Sequence, residues 1–309
     1  MVISCTSASM PERNHIPQAS YRAKAVLPIG LAAISLASIF FKVCDAPPLV
    51  IAAYRLTLAT VVLLLFSLPR TLRELRRLDR REILFSILAG LFLCFHFAFW
   101  ITSLKYTSVA SSVIFVATNP IFVALASMFF LRETLSAALF LSILVAVIGG
   151  IVIGWGDWDK GLSSLYGDFL ALLGAVMATG YLLMGRRVRQ KMELTAYITL
   201  VYGMAAILLI LLALVSGEVL FDYPPRTYLL FILLALVPQL IGHTTLNWAL
   251  KFFSATLVAV FILGEPIGAT ILAYLILGEP VSRSLLLGGM MVLLGIYLSA
   301  REERKLGKL

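Results

Sequence analysis

Long apolar segments separated by short polar links dominate the sequence of this 309-residue chain. One helical crossing of a bilayer takes about 20 apolar residues. Ten runs of about this length occur, at 26–44, 48–68, 83–104, 107–131, 136–155, 167–185, 195–215, 227–250, 254–277 and 283–300. With 61% hydrophobic and 13% charged residues, the composition excludes a water-soluble core. We therefore predict an all-α membrane protein with ten transmembrane helices.

The basic residues of the links predict the orientation of these helices. With the N-terminus inside the cell, 19 of the 25 Lys and Arg residues fall on cytoplasmic segments, five fall outside, and Arg55 lies within a span. Such an excess is typical of cytoplasmic loops. We expect a multi-pass protein of a bacterial-type inner membrane with both termini cytoplasmic and the basic loop 70–81 against anionic headgroups. Because the positive charge is spread over these links, nucleic acid is not an expected partner.

The ends of the chain and its cysteines carry few signals. Residues 1–25 include charged residues and two prolines before the first apolar run, with no clear cleavage site after it, so we expect a disordered cytoplasmic tail rather than a signal peptide. Residues 301–309 form a basic cytoplasmic tail. Three cysteines without Cys-x-x-Cys spacing indicate neither a disulfide framework nor a zinc site. We expect no cofactor and no metal.

The two halves of the chain are similar in sequence. At an offset of 146 residues, the aligned pairs include Lys105 with Lys251, Phe115 with Phe261, Pro120 with Pro266, Glu133 with Glu279, and Gly149 with Gly295. We predict two five-helix repeats, at 26–155 and 167–300, joined by an external linker at 156–166. Since five is odd, the second repeat is inverted relative to the first. Inverted repeats favour a secondary transporter, because exchanging the conformations of two similar halves opens a central cavity to the opposite side.

Short motifs occur in the same order along this duplicated plan. They are Tyr54-Arg55-Leu56, Ala117-Thr118-Asn119-Pro120, Leu131-Arg132-Glu133, Gly167-Asp168, Val237-Pro238-Gln239, Asn247-Trp248-Ala249-Leu250, Leu263-Gly264-Glu265-Pro266 and Leu277-Gly278-Glu279-Pro280. The chain thereby resembles the EamA-type carriers of the drug/metabolite transporter superfamily over nearly all of residues 26–300. The resemblance implies ten helices around a central cavity and proton-coupled or exchange-driven movement of small metabolites, often export. Arg132 departs from the glycine that these carriers usually have before the glutamate.

We therefore expect a secondary active transporter of small metabolites, such as amino acids or related polar or aromatic solutes, with protons as a further possible partner beside membrane lipids. A nucleotide-derivative or cofactor exchanger of the same fold is an alternative. A lipid-modifying membrane enzyme is disfavoured because no DxxD, HxxxD or HExxH cluster occurs. A channel is disfavoured because no repeated pore filter occurs. Solute, coupling ion, direction and oligomeric state are left open.

Glu265 and Arg55 lie within apolar runs, where an ionisable residue costs roughly 2.5 to 3.5 kcal/mol to insert, so they are functional candidates. Glu265, beside Pro266, would favour its protonated form unless a cation lies nearby, and is a candidate proton carrier. The alternative is a structural bond to backbone loosened by the proline. Arg55 needs a carboxylate, a substrate anion or several carbonyls, unless it snorkels to the headgroups. Pairing between Arg55 and Glu265 would compete with the proton-carrier role.

The eighth run carries a polar face. Gln239, His243 and Asn247 share one side at helical spacing, and we expect them to line the cavity rather than only to hold helices together. His96 lies at nearly equivalent depth in the third run, and both histidines change charge near neutral pH. For His96, cavity and packing roles remain equally open. Trp100 and Tyr181 have two alternative roles, which remain equally open. They either form a wall for a ring-bearing or cationic solute or pack between helices.

Two repeat-related positions lie in the middle of the fourth and ninth runs. Asn119 is the counterpart of Glu265, so the pair combines a neutral amide with an acid. Such asymmetry suits a carrier that binds one polar end of a solute. Pro120 and Pro266 follow these residues and are candidate hinges on which each half could bend.

Overall fold

In a computed structural model, the protein is described over residues 16–131, 137–158, 161–253 and 255–305. Within these residues every regular element is a helix, and the helices group into ten regions. They are α1 (Ile16–Ser35 and Ala37–Lys42), α2 (Pro48–Leu75), α3 (Arg80–Ser103), α4 (α4a, Val109–Val116, and α4b, Asn119–Leu131), α5 (Ala137–Trp158), α6 (Leu162–Arg189), α7 (Leu194–Val215), α8 (Pro225–Leu234, Ala235–His243 and Thr244–Ala249), α9 (α9a, Ala255–Phe261; α9b, Gly264–Leu272; and Ala273–Leu277) and α10 (Arg283–Lys305).

The first helix begins earlier than the sequence predicts. α1 starts at Ile16, within the segment expected to be disordered. Residues 16–25 include Gln, Ala, Arg and Lys, which favour helix, so the helix of the first apolar run extends upstream through them. Residues 1–15 of that predicted tail lie outside the described residues, as do 306–309 of the C-terminal tail. The motif residues Arg132 and Glu133 also lie outside them.

The apolar surface of these helices is that of a membrane protein. By length and composition, five described helices can cross a bilayer, namely Pro48–Leu75, Arg80–Ser103, Leu162–Arg189, Leu194–Val215 and Pro225–Ala249. Five shorter apolar helices lie in the remaining regions. Large apolar side chains face outward, among them Phe66, Trp155 and Val215, each more than four-fifths exposed. Exposed apolar surface of this extent marks contact with lipid.

Two helices are interrupted at matching positions. α4 breaks at residues 117–118 and α9 at residues 262–263, just ahead of Pro120 and Pro266. Proline lacks the backbone N–H for the bond to the preceding turn, and its ring crowds the carbonyl four residues earlier. The sequence repeat and the two prolines therefore account for a pair of discontinuous helices.

The middle of α8 is wound as a π-helix over Ala235–His243, with Pro238 inside it. π-helical turns are rare, and those that occur often lie at functional sites. Here the proline disturbs the α-helical bonding, and the wider turn carries both Gln239 and His243. The sequence predicts a continuous α-helix at this position and does not indicate the wider turn.

Helix packing follows a regular scheme. α5 packs along α10, α3 along α6 and α7, and α2 along α7. α1 packs against α8 and α9b. The main apolar core lies among these helices and contains the fully buried Leu56, Leu93 and Val201.

Small residues bring α5 and α10 into close contact. A Cβ atom added at Gly149 would lie 2.6 Å from the carbonyl oxygen of Gly288, and one added at Gly295 would lie 2.6 Å from that of Ser142. Gly149, which follows Ser142 in α5, thus meets Gly288, which precedes Gly295 in α10. The two helices therefore run antiparallel.

Candidate functional site

A small cavity lies among α1, α3, α4, α6, α8 and α9. The centre of a water molecule can reach about 40 Å³ of it, which is room for about three waters. Six apolar residues and six polar or aromatic residues line it. The latter are His96, Trp100, Asn119, Tyr181, His243 and Glu265. All six are candidates from the sequence, and the structure brings them together.

The two helix breaks deliver Asn119 and Glu265 to this cavity. Asn119 is the first residue of α4b and Glu265 the second residue of α9b, and both side chains are buried. The hydroxyl of Thr179 in α6 lies 3.2 Å from the backbone oxygen of Asn119 and 3.0 Å from that of Ala175, so its one proton is shared between α4b and its own helix. The N-terminus of a helix carries unpaired N–H groups and partial positive charge. The cavity thus contains an acid and an amide at the starts of two half-helices.

The two histidines approach the cavity differently. Nδ1 of His96 lies 2.9 Å from the carbonyl oxygen of Gly174. Because a carbonyl only accepts, Nδ1 must carry the proton, which leaves Nε2 as the second polar atom of the ring. His96 also stacks on Trp100, with ring centroids 5.6 Å apart. His243 contacts the Phe97 ring edge-on at 5.3 Å, and its Nδ1 has no hydrogen-bond partner within the described ranges.

Asn247 differs from His243 although both lie on the predicted polar face. The hydroxyl of Tyr181 donates to its side-chain oxygen at 2.7 Å. Its amide nitrogen donates to the Tyr202 hydroxyl at 3.1 Å and to the backbone oxygen of His243 at 2.9 Å. These bonds join α6, α7 and α8. The polar face therefore serves both alternatives, because His243 lines the cavity while Asn247 holds helices together behind it.

Arg55 is fully buried behind the cavity. Its Nε donates to Oε1 of Gln239 at 2.7 Å, and its guanidinium lies 4.4 Å from the ring centre of Phe97 and 5.3 Å from that of Phe41. In the part of the chain that the structure describes, neither terminal nitrogen has a hydrogen-bond partner. The snorkelling alternative is therefore wrong. Among the described residues, Arg55 bonds to Gln239 and not to Glu265.

A polar cluster that the sequence did not single out as a site joins the ends of α1, α3, α4 and α9. Nζ of Lys42 donates to the carbonyl oxygens of Leu104 at 2.7 Å and Thr107 at 3.1 Å and lies 3.7 Å from Glu279. Glu279 also accepts from the backbone N–H of Val109 at 2.9 Å. Glu279 thereby caps the start of α4a.

The fold and this cavity define a class, the membrane transporters, in which discontinuous helices carry polar groups to a site within the membrane. A model described as the EamA-like transporter family matches residues 24–155 and again residues 165–301. The chain belongs to this family. It is a membrane transporter rather than an enzyme, and the resemblance drawn from its motifs is confirmed.

Individual relatives carry the same kind of name. The chain is 26% identical over 261 residues to the uncharacterized transporter YdfC of Bacillus subtilis (strain 168), covering 84% of each chain. It is 25% identical over 278 residues to an uncharacterized transporter of Archaeoglobus fulgidus, covering 86% of this chain and 93% of that one. A solved structure described only as the crystal structure of a protein covers 92% of this chain and 99% of its own, with a TM-score of 0.65 at 20% identity. That likeness concerns the fold alone.

Proposed function

We propose that the protein is a secondary active transporter of small polar or aromatic metabolites, amino acids among them, and that solute and proton bind beside Glu265 and His243. The observation that carries this proposal is the burial of an acid and an imidazole at one cavity between broken helices, where Nδ1 of the imidazole has no partner among the described residues. Ionisable groups at such depth are costly and mark ion and solute pathways.

The α5 and α10 crossing supports an inverted repeat of five helices in each half. Gly149 and Gly295 are equivalent in the repeat, and so are Ser142 and Gly288. Gly149 meets Gly288 while Gly295 meets Ser142, so each contact is the image of the other, as expected across a two-fold axis. Because the equivalent helices run antiparallel, the axis lies across them, in the plane of the membrane.

The other helix pairs support the same axis. Exchanging each helix of the first repeat for its counterpart converts the pair α3 and α6 into the pair α8 and α1, and both pairs pack together. α2 and α7 are counterparts of each other, as are α4 and α9, so the exchange leaves each of these pairs unchanged. The two helices of each pair also pack together. We propose ten spans in total, with both termini cytoplasmic in an inner membrane, as the distribution of basic residues favours.

Alternating access follows from this architecture. The cavity has room for only about three waters, so the described conformation is a closed one. Bending at the breaks before Pro120 and Pro266 would open one side while the other stays closed. Glu265 can exchange a proton with the exposed side, whereas Asn119 cannot, so the repeat contributes one proton site rather than two. Coupling solute export to proton entry, or to exchange, would use this single acid.

The first test is the replacement of Glu265 by Gln in proteoliposomes loaded with the twenty proteinogenic amino acids and assayed by mass spectrometry. Glu265→Gln removes the titratable group but keeps size and hydrogen bonding, so amino-acid movement driven by a pH gradient should fall to the level of protein-free vesicles. Exchange between amino acids on the two sides should continue.

Glu82→Gln is the matched control, because Glu82 is an acid that pairs with Lys191 at 2.8 Å outside the spans. It should leave gradient-driven movement unchanged. Unaltered coupling in Glu265→Gln would remove Glu265 from the mechanism.

A further inference from the structure

A second cavity, of about 240 Å³, lies at the ends of α1, α2 and α3. Lys42 and Lys105 are exposed at its rim, and the proposed topology puts this rim on the outer face. Phe41 and Ile51 form part of its wall. We call it the outer cavity. Lys42 pairs with Glu279 at 3.7 Å, so Lys105 is the rim cation that would attract an anionic solute.

Three aromatic rings separate the outer cavity from the small cavity that contains Glu265 and His243, which we call the polar cavity. Phe41 lines the outer cavity and Trp100 lines the polar one, and their rings meet edge-on at 5.4 Å. The ring centre of Phe97 lies 6.2 Å from that of Trp100, and the Phe97 ring also contacts His243. Arg55 contacts both phenylalanines. A route between the two cavities through this aromatic layer would therefore pass beside the guanidinium of Arg55.

The hydrogen bonding of Arg55 is incomplete. A guanidinium has five N–H donors, and only Nε has a partner among the described residues. Burying an unpaired donor is unfavourable, and more so where the group is charged. Gln239 fixes one edge of the group and leaves the two terminal nitrogens, which are the pair that binds a carboxylate bidentately.

A second buried arginine provides a contrast. Arg189, at the end of α6, is also almost completely buried, but its Nε donates to the backbone oxygen of Asn247 at 3.0 Å and its Nη1 donates to that of Met192. Arg189 therefore has a structural role that its bonds explain. For Arg55, by contrast, only one of the three guanidinium nitrogens has a hydrogen-bond partner among the described residues.

We infer that Arg55 is the carboxylate-binding residue of the carrier, and that its solutes bear a carboxylate that pairs with the two terminal nitrogens of Arg55 when Phe41 and Phe97 move aside. This inference rests on the proposed transport function and adds the chemical class of the solute. A cationic solute is disfavoured on this route, because Arg55 already occupies the faces of Phe41 and Phe97 that would bind a cation. Beyond Arg55, the N-terminal ends of α4b and α9b continue the positive path.

The test compares matched solutes on the purified wild-type protein by thermal unfolding. The probes are phenylalanine and 3-phenylpropionate, which carry a carboxylate, against phenylethylamine and 3-phenylpropanamide, which do not, together with alanine and acetate against ethylamine and acetamide. A ligand that binds the native state raises the unfolding midpoint by mass action. At least one carboxylate should raise the midpoint while its matched partner does not.

The variants then test the residue. Arg55→Gln should weaken carboxylate binding by about 100-fold, and Arg55→Lys should retain part of it, because a lysine keeps the charge but not the planar fork. Arg189→Gln should lower the midpoint without ligand and leave the shift caused by the carboxylate. An equal shift in wild type and Arg55→Gln overturns the assignment of Arg55.

The wild-type measurement stands even where Arg55→Gln does not fold. If no carboxylate in the set stabilises the wild type, the inference on solute class is wrong. Movement of any panel solute by a pH gradient in proteoliposomes is measured separately. If that movement occurs without carboxylate binding, the transport proposal survives and this inference alone fails.

Discussion

Glu265 and Asn119 occupy equivalent places in the two halves, yet only Glu265 can change its charge. Both are buried at one cavity, so the site is symmetric in backbone and asymmetric in chemistry. Around them, residues with satisfied bonds and residues without partners play different roles. Asn247 uses both ends of its amide, whereas Nδ1 of His243 and Oδ1 of Asn119 have no partner within the described residues. Free polar atoms at a cavity are available to solute and water.

This difference gives a prediction for His243 and Asn247. His243→Ala should weaken amino-acid binding by about tenfold, the equivalent of one hydrogen bond, with little loss of stability. Asn247→Ala should lower the free energy of unfolding by about 1 to 3 kcal/mol, because it leaves the Tyr181 hydroxyl unpaired. Thermal unfolding and ligand titration of both variants check this. Normal binding by His243→Ala at every pH would assign His243 to packing.

Sequence patterns predict the residues of the cavity better than their contacts. Burial cost singles out Glu265 and Arg55, and helical spacing groups Gln239 with His243. The partner of Arg55 is not predictable in this way, because Gln239 meets it from a π-helical turn of α8 that no local pattern indicates. The aromatic layer at Phe97 is likewise missed, since a phenylalanine in an apolar run carries no local signal of what it separates.

At the level of helices, small residues set how closely the two halves approach. Gly149 and Gly295 hold equivalent places in α5 and α10, where a side chain would strike backbone of the opposite helix. Gly150 is adjacent in sequence but faces Phe115, where an added Cβ would lie 3.3 Å from a ring atom. The offset between the halves predicts the equivalence of these glycines, and the structure adds which partner each one meets.

The α5 and α10 crossing can be tested with single methyl groups. Gly149→Ala and Gly295→Ala should each lower the free energy of unfolding by about 1 to 3 kcal/mol, because the backbones must separate. Gly150→Ala is the matched control and should be tolerated, since alanine favours helix over glycine and the Phe115 ring can shift. Thermal unfolding in detergent compares the three variants. A loss at only one of Gly149 and Gly295, or at neither, would contradict the proposed pair of equivalent contacts.

For the whole molecule, the account joins two antiparallel halves around one site. Apolar length, basic links and the repeat predict the helical regions, and the breaks of α4 and α9 agree with the prolines that follow each break. The size of the cavity is not predictable from such patterns, because it depends on how side chains of six helices meet. About three waters fit inside, so transport requires the cavity to open toward each side in turn.

That requirement is tested most directly by a single cysteine at Leu182, which lines the cavity, in a chain whose Cys5, Cys44 and Cys94 are replaced by serine. A membrane-impermeant thiol reagent is added to either side of oriented vesicles. Val258→Cys, fully buried away from the cavity, is the matched control, and cysteines at residues 75 and 305 report the inner face. We predict that Leu182→Cys reacts from both sides, that Val258→Cys reacts from neither, and that the two reference positions react from inside only. Reaction of Leu182→Cys from one side alone, or from neither, would contradict alternating access to this cavity.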